Sequence, residues 1–349
     1  MKKVLIDLTI LKHLNCGLGQ IAYNYARYWG ENARNMDFEV WLLVPKQYVG
    51  AFGDDVRYLK VSPLYEISCR FMPRFDVWHS IHQLSRFMPS RRNTANLLTV
   101  HDINFIYEKI GSSLKKHTRK LTKRLDRADK VIFISNFAKN DVLSHFPLDK
   151  PTEVVYNGVE FGNPADERKP ELPFGNDRKF LFSIGQIRQK KNFHVLLDAM
   201  KLLPEYELIV AGEKGSDYAQ MIDKRIADEG INNVHFIGTI HNSEKIWLYN
   251  HCEAFVFPSL FEGFGLPVIE AMSYGKPVIS SDQTSLKEIC ANHAFILENF
   301  QPGHIAQKIK EGIEAYKDPK LAAQNTEYAK SFTYNRHMKE YLRLYKEML

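Results

Sequence analysis

Short apolar runs alternate with longer stretches of helical period along the whole chain. A compact apolar run bounded by turn formers reads as a buried strand, and apolar residues spaced three and four apart read as one face of a helix. In the first half the runs are VLIDLTI (4–10), FEVWLLV (38–44), FDVWHS (75–80), ANLLTVH (95–101), KVIFIS (130–135) and TEVVY (152–156). A stretch rich in Gly, Pro and charge follows, Gly158 to Lys179, and reads as a linker. The pattern then restarts with FLFSIG (180–185), YELIVAG (206–212), NVHFIG (233–238), AFVFPS (254–259), PVISS (277–281) and AFIL (294–297). Strands alternating with helices predict parallel sheets covered on both faces. Two such halves predict an α/β protein of two doubly wound, Rossmann-like domains facing a central cleft. Their expected bounds are 1–163 and 172–333. The last segment, Tyr334 to Leu349, has Tyr341, Leu344, Tyr345 and Met348 on one side of a helix.

Composition narrows this picture only slightly. The chain has 349 residues, 44% hydrophobic and 25% charged, ordinary values for a soluble globular protein and a length that suits two domains. Cys16, Cys69, Cys252 and Cys290 show neither a C-x-x-C pair nor any other ligand spacing, so no zinc site or disulfide framework is expected. The start, MKKVLIDLTILKHL, has two lysines before apolar residues, but Asp7 interrupts the run and no small-residue cleavage site follows, so a first buried strand is expected. No segment has the roughly 18 apolar residues of a membrane span.

The net charge of +6 is unevenly placed. Lys115 to Lys130 carries eight Lys or Arg against two Asp, with Leu114, Leu121, Leu125 and Ala128 on one side at helical spacing. This is either a solvated basic helix face or a site for an anionic partner, a membrane surface or a phosphate-bearing acceptor. No basic motif interleaved with aromatics points to nucleic acid.

Gly17, Gly19 and Ala22 in CGLGQIAYNYA satisfy the pattern of a dinucleotide-binding turn. In such a turn the first glycine directly follows the first strand, and an acid ends the second. Here Lys12 to Asn15 intervene, and Asp37 and Glu39 lie at the wrong end of FEVWLLV. A nicotinamide or flavin cofactor is therefore not expected, and a glycine loop facing the cleft remains.

The densest chemistry lies in FVFPSLFEGFGLPVIEAMSYGKPVISSD, Phe255 to Asp282. A buried strand leads to a loop carrying Glu262, Gly263, Phe264 and Gly265. Pro267 suits the first turn of the next helix and Gly275 its end. The helix N-terminus favours a phosphate, while Glu270 suits sugar hydroxyls. This stretch resembles the signature of retaining GT-B glycosyltransferases of family 4 (glycosyl transferases group 1), with two glutamates separated by seven residues. GLGQIAYNYA, TVHDINFIY, VIFISNFAKNDV, VVYNGVE and FIGTIHNSEKIWLYNHCEAFVFPS are similar to other segments of that family, in order along the chain.

The resemblance implies sugar transfer from a nucleotide donor with retention at the anomeric carbon, without an essential metal or cofactor. No D-x-D occurs, and SIGQIRQKKNFHVLL supplies basic groups that can hold a leaving diphosphate. By resemblance Lys191 is the diphosphate lysine; Gln186 stands where many members have an arginine, for which Arg188 or Lys190 is the expected substitute. The resemblance places Glu262 near the transferred sugar, Phe264, Gly265 and Leu266 on sugar or phosphate through their backbone, and Glu270 on the ribose hydroxyls. His101 is implied beside the reacting centre, with Asp102 orienting it or meeting the acceptor, and Gly17 and Gly19 beneath the donor diphosphate or near the acceptor. His79 and His82 are expected to be structural.

The subtype resembles bacterial enzymes of O-antigen or other surface polysaccharide synthesis, often mannosyltransferases. A GDP- or UDP-linked hexose donor and a glycan or lipid-pyrophosphate-linked acceptor are implied, for a cytoplasmic protein peripheral at the inner membrane face. In this family the last helix packs back on the first domain. An epimerase, a phosphorylase and a catalytically silent binder of nucleotide sugars share this fold and stay open as alternatives.

Overall fold

The computed structural model describes residues 1–14, 17–90 and 93–349. The chain divides into two compact units, Met1–Gly158 with Tyr334–Leu349, and Val159–Thr333.

Among the described residues, the first unit is built on a seven-stranded parallel sheet. Its strands are β1 (Lys2–Asp7), β2 (Phe38–Val44), β3 (Arg57–Lys60), β4 (Val77–Ser80), β5 (Ala95–Val100), β6 (Lys130–Phe133) and β7 (Thr152–Val154). They lie in the order β3-β2-β1-β4-β5-β6-β7. Its helices are α1 (Gly17–Asn32), α2 (Pro63–Ile67), α3 (Phe105–Glu108), α4 (Gly111–Arg127) and α5 (Asn136–His145).

The second unit carries a six-stranded parallel sheet, again among the described residues. It comprises β8 (Lys179–Ile184), β9 (Tyr206–Ala211), β10 (Val234–Gly238), β11 (Ala254–Phe257), β12 (Val278–Ser281) and β13 (Phe295–Leu297), in the order β10-β9-β8-β11-β12-β13. Helices α6 (His194–Lys201), α7 (Asp217–Glu229), α8 (Asn242–His251) and α9 (Leu266–Ser273) follow its strands. Helices α10 (Leu286–Cys290), α11 (Pro302–Ala315) and α12 (Pro319–Lys330) complete the unit, and α13 (Tyr334–Met348) returns to the first. In both sheets the first strand is central and the order reverses beside it. This places the loops that follow neighbouring strands on either side of a crevice at their carboxyl ends.

Each of the apolar runs forms a strand. The VLIDLTI strand, however, ends at Asp7. Its carboxylate accepts the Thr9 N–H at 3.1 Å and the Thr9 hydroxyl at 2.7 Å, which turns the chain into a 3-10 segment over Thr9–His13. The helix at Gly17–Asn32 starts on the two glycines, so they form its first turn rather than an open loop. A Cβ on Gly19 would lie 2.0 Å from the His13 carbonyl oxygen. Cys16 lies outside the described residues.

Of the stretch Gly158 to Lys179, Gly158 ends the first unit and the rest belongs to the second. A Cβ on Gly162 would overlap Ile246 and Tyr274, and Glu167 accepts from Asn250 at 2.9 Å and pairs with His251 at 3.0 Å. The basic helix α4 has Leu121 and Leu125 buried, with Ala128 buried just past its end. Much of its charge is turned to structural use: Lys120 donates to the Leu84 carbonyl at 2.6 Å, Arg124 to those of Phe87 and Ser85, and Arg127 to that of Pro89. Lys130 pairs with Glu153 at 3.0 Å and Glu347 at 3.1 Å. Lys115, Lys116, Arg119 and Lys123 are exposed.

Candidate active site

In the second unit the loops after β8, β11 and β12 are tied into one piece. The Lys190 carbonyl accepts the Leu260 N–H at 2.8 Å and the Ser259 hydroxyl at 3.1 Å. The Glu262 N–H donates to the Thr284 hydroxyl at 3.0 Å, and the Ser285 hydroxyl lies 2.9 and 3.0 Å from the carbonyls of Glu262 and Phe264. Thr284 holds a left-handed φ of 55°, which turns its hydroxyl back on this loop. Three strand ends thus fix Lys190, Lys191 and Glu262 by backbone bonds.

Lys191 closes a 3-10 turn over Gln189–Lys191, before Asn192 in a left-handed conformation. Its Nζ lies 2.5 Å from Glu262 Oε1 and 4.9 Å from the centre of the Phe257 ring. The two charged side chains are only 13% and 14% exposed. Close approach at the strand ends permits this: a Cβ on Gly185 would come within 3.1 Å of Lys191 Cε, and one on Gly212 within 1.9 Å of the Gly185 oxygen. An ammonium in a half-dry setting, already pointing at a carboxylate, is ready to hold an anion that replaces it.

Four residues after Glu262 the helix α9 begins. Gly265, with φ 103°, caps it, and Pro267 lies in its first turn. Phe264 is buried and fixes the approach to the helix. In this first turn Pro267 has no N–H and the Val268 N–H bonds the Gly265 carbonyl at 3.1 Å, which leaves the N–H groups of Gly265 and Leu266, with the helix dipole, to favour an anion.

One turn into α9, Glu270 is held by two residues of α8: Lys245 Nζ at 2.8 Å from Oε1, and the Tyr249 hydroxyl at 2.8 Å from Oε2. Tyr249 is fully buried, and burial followed by the Glu270 charge keeps its phenol well above its usual range, so it acts as a donor. Lys245 and Tyr249 are functional candidates that sequence reading missed. Their signal was weak, two polar tips four residues apart on one helix face. Arg188 is exposed with no ion partner among the described residues, and Gln186 reaches Glu213 at 3.2 Å. Lys190 gives its backbone oxygen to the β11 loop.

In the first unit the strand ends gather Asp7, His79, His82, His101 and Asp102. His101 follows β5 and is buried. Its Nε2 lies 2.8 Å from the Ile81 carbonyl, an obligate acceptor, so Nε2 carries the proton and Nδ1 is left as the acceptor. Burial lowers its pKa to about 4. The Gln83 side chain brackets the same turn, accepting the His101 N–H at 3.1 Å and donating to the Asp102 carbonyl at 2.6 Å. Asp102 accepts the Asn104 N–H at 3.0 Å. His79 is wholly buried between Tyr345 at 2.6 Å and Thr99 at 2.8 Å, a structural placement as expected. Half-buried His82 has its pKa lowered to about 3, first by burial and then by the charges of His101, Lys120 and Arg124. Gly17 and Gly19 lie in this unit, at the start of α1; Lys191, Glu262 and Glu270 lie in the second.

Comparison with known proteins agrees with these two halves. The family model for glycosyltransferase family 4 matches residues 24–162, and that for glycosyl transferases group 1 matches residues 164–332. The chain is 26% identical over 323 residues to the O-antigen chain mannosyltransferase B of Escherichia coli, spanning 84% of this chain and 83% of that one. It is 28% identical over 228 residues to the D-rhamnosyltransferase WbpZ of Pseudomonas aeruginosa, spanning 62% and 58% respectively. The structure of Anabaena Alr3699/HepE in complex with UDP-glucose covers 99% of this chain and 100% of its own, with a TM-score of 0.79 at 17% identity, a likeness of fold. The chain is a GT-B glycosyltransferase of the group 1, family 4 class.

Proposed function

We propose that this protein transfers a hexose, with mannose preferred, from a GDP- or UDP-linked donor to a glycan or lipid-pyrophosphate-linked acceptor in O-antigen or related lipopolysaccharide synthesis. In this reading it is a retaining, metal-independent hexosyltransferase needing no cofactor, working at the inner face of the cytoplasmic membrane. The observation that carries the reading is the Lys191–Glu262 pair beside the N-terminus of α9. Fixed positive groups there meet the demand of the reaction, which is to stabilise charge developing on the departing nucleoside diphosphate. The mannosyltransferase relative favours mannose and the surface polysaccharide setting.

The donor diphosphate takes the place of Glu262 on Lys191 and accepts from the backbone of Gly265 and Leu266. Glu262, released, faces the transferred sugar. Glu270, oriented by Lys245 and Tyr249, receives the ribose hydroxyls. His101 offers its Nδ1 lone pair to a sugar hydroxyl at the reacting centre, and Gly17 and Gly19 open the α1 N-terminus to the donor or acceptor. Arg188 is the free guanidinium closest in sequence to Lys191 and supplements it.

A thermal-shift screen with UDP, GDP, ADP and TDP, with and without magnesium, tests this on the wild type and on Glu270→Ala. A ligand at a hundred times its Kd stabilises by ~2.7 kcal/mol, which a unit of this size reads as a rise of roughly 5 to 10 °C. One nucleotide is expected to produce such a rise without metal, and Glu270→Ala to weaken it. If none shifts the transition, or magnesium is required, the reading fails.

A further inference from the structure

Between β3 and β4 the chain makes two capped turns, α2 and a 3-10 turn over Cys69–Phe71, neither of which has a buried residue. The segment nonetheless has two faces. Tyr65, Cys69 and Met72 pack inward on a core that includes Leu59, Trp78 and Phe87. Leu64, Ile67 and Phe71 point outward and are 56%, 78% and 59% exposed. Fraying does not account for this. The Ser62 hydroxyl accepts the Leu64 N–H, the Ser68 hydroxyl accepts the Arg70 N–H at 3.2 Å, and the Ser68 N–H donates to the Leu64 carbonyl at 3.0 Å. Three large apolar side chains are thus held in water by a rigid support, which is the mark of an interaction surface rather than of scattered exposure.

The charge around them selects the partner. Arg70 and Arg74 are exposed without an ion partner among the described residues. Glu66, the carboxylate of α2, is taken by Arg86 at 2.6 Å. Arg86 links this segment to α4: it pairs with Glu66, and the carbonyls of Ser85 and Phe87 on either side of it accept from Arg124, with that of Leu84 accepting from Lys120 at 2.6 Å. On α4 itself Lys115, Lys116, Arg119 and Lys123 face water, with Asp126 as that helix's exposed carboxylate. Apolar side chains amid unpaired cations match a bilayer of anionic lipid, into which the former enter and over which the latter lie.

We propose that the α2 and Cys69–Phe71 turns are a membrane-inserting wedge, and that α4 supplies its electrostatic seat on anionic lipid. The proposal rests on the preceding reading only for its purpose, delivery of the enzyme to a lipid-linked acceptor. Its test needs no donor or acceptor.

Full-length protein is floated with vesicles of phosphatidylcholine alone and with 30 mol% phosphatidylglycerol as an added probe lipid (about a third anionic, enough to set a surface potential). Binding to the anionic vesicles is expected, falling steeply as salt rises. The double variant Ile67→Asp, Phe71→Asp should reduce partitioning at least tenfold while keeping the wild-type melting temperature, since both side chains are exposed. Replacing Lys115, Lys116, Arg119 and Lys123 with Gln should reduce it about fivefold per charge near the surface. Equal binding to neutral vesicles, or full binding by the double variant, overturns the proposal, as does no binding by the wild type. A nucleotide screen run beside it keeps the two readings separable: wild type that floats but ignores every nucleotide loses the transferase reading and keeps the wedge.

Discussion

At the residue scale, Lys191 and Glu262 make opposite predictions. Each neutralises the other with little solvent access, so removing either leaves an underpaired charge, with a stability loss of about 2 kcal/mol for Lys191→Met, below the range for fully buried pairs. Lys191→Met should also weaken nucleoside diphosphate binding at least tenfold. Glu262→Gln removes the carboxylate that competes for Lys191, so affinity for the same ligand should rise a few-fold while sugar transfer is lost. Calorimetric titration of the two variants reads both signs, and a fall in affinity for Glu262→Gln would contradict the exchange of partners. Glu262, Glu270, Lys191 and His101 were singled out in the sequence by its resemblance to the family, helped by positions just after a strand or in the first turns of a helix. Lys245, Tyr249 and Gln83 were not. They act across sequence separations of 18 to 25 residues, and nothing local in an amphipathic helix or a loop tells that its polar tip will meet a carboxylate or a peptide group.

At the scale of elements, the strands were legible because a parallel sheet buried on both faces needs continuous apolar runs. β3 escaped: of its residues Arg57, Tyr58, Leu59 and Lys60, Leu59 alone is buried, as suits an edge strand. The end of β1 was also misplaced, because the Asp7 turn outweighs the β-propensity of Thr9 and Ile10. The α9 cap permits a backbone prediction. Gly265 has φ 103°, and a Cβ there would lie 2.6 Å from Leu286 Cδ2. Gly265→Ala should therefore destabilise the second unit by about 1 to 3 kcal/mol, read as a lower urea midpoint.

The helix α13 and the β4 and β5 ends share a second, pH-dependent property. His337 is buried, donates from Nδ1 to the Tyr156 carbonyl at 2.7 Å and accepts from the Tyr25 hydroxyl at 3.0 Å. Burial lowers its pKa to about 4, as for His101, and holds that of His79 well below its ordinary value. Unfolded histidine protonates near pH 6.5, so as pH falls the unfolded chain takes up protons first. The stability these residues give is complete above about pH 6.5 and is lost progressively down to about pH 4. At roughly 1.4 kcal/mol per pKa unit, each histidine with a pKa near 4 accounts for about 2 kcal/mol between pH 6.5 and 5. Urea unfolding at pH 7, 6 and 5 should show this fall in the first unit, and His337→Gln should shrink it. A stability flat from pH 7 to 5 would refute the neutral, buried state of these rings.

For the whole molecule the decisive feature is that the chain leaves the first unit at Gly158 and re-enters it at Tyr334. The returning helix is structural to a degree its amphipathic pattern alone did not reveal. Tyr341, Leu344 and Tyr345 are fully buried, and the Tyr345 hydroxyl reaches His79 while the Tyr341 hydroxyl reaches Thr99 at 2.8 Å. Tyr25 and Trp29 of α1 pack on the same rings. Without α13, His79 and Thr99 would lose tyrosine partners in the middle of a parallel sheet, and unpaired buried polar groups cost about 1 to 3 kcal/mol each, in addition to the lost apolar burial. Ending the chain at Thr333 should therefore melt the first unit although none of its strands is removed. The second unit, whose core of Leu181, Leu197, Val210, Val256 and Ile279 involves no residue of α13, should remain folded. Hydrogen exchange on the truncated chain reads both outcomes at once: protection is expected to vanish from β1, β4 and β5 and to persist in β8, β9 and β11. Retained protection in β4 and β5 would mean that the first unit closes its own core, and that the return of the chain serves some other end.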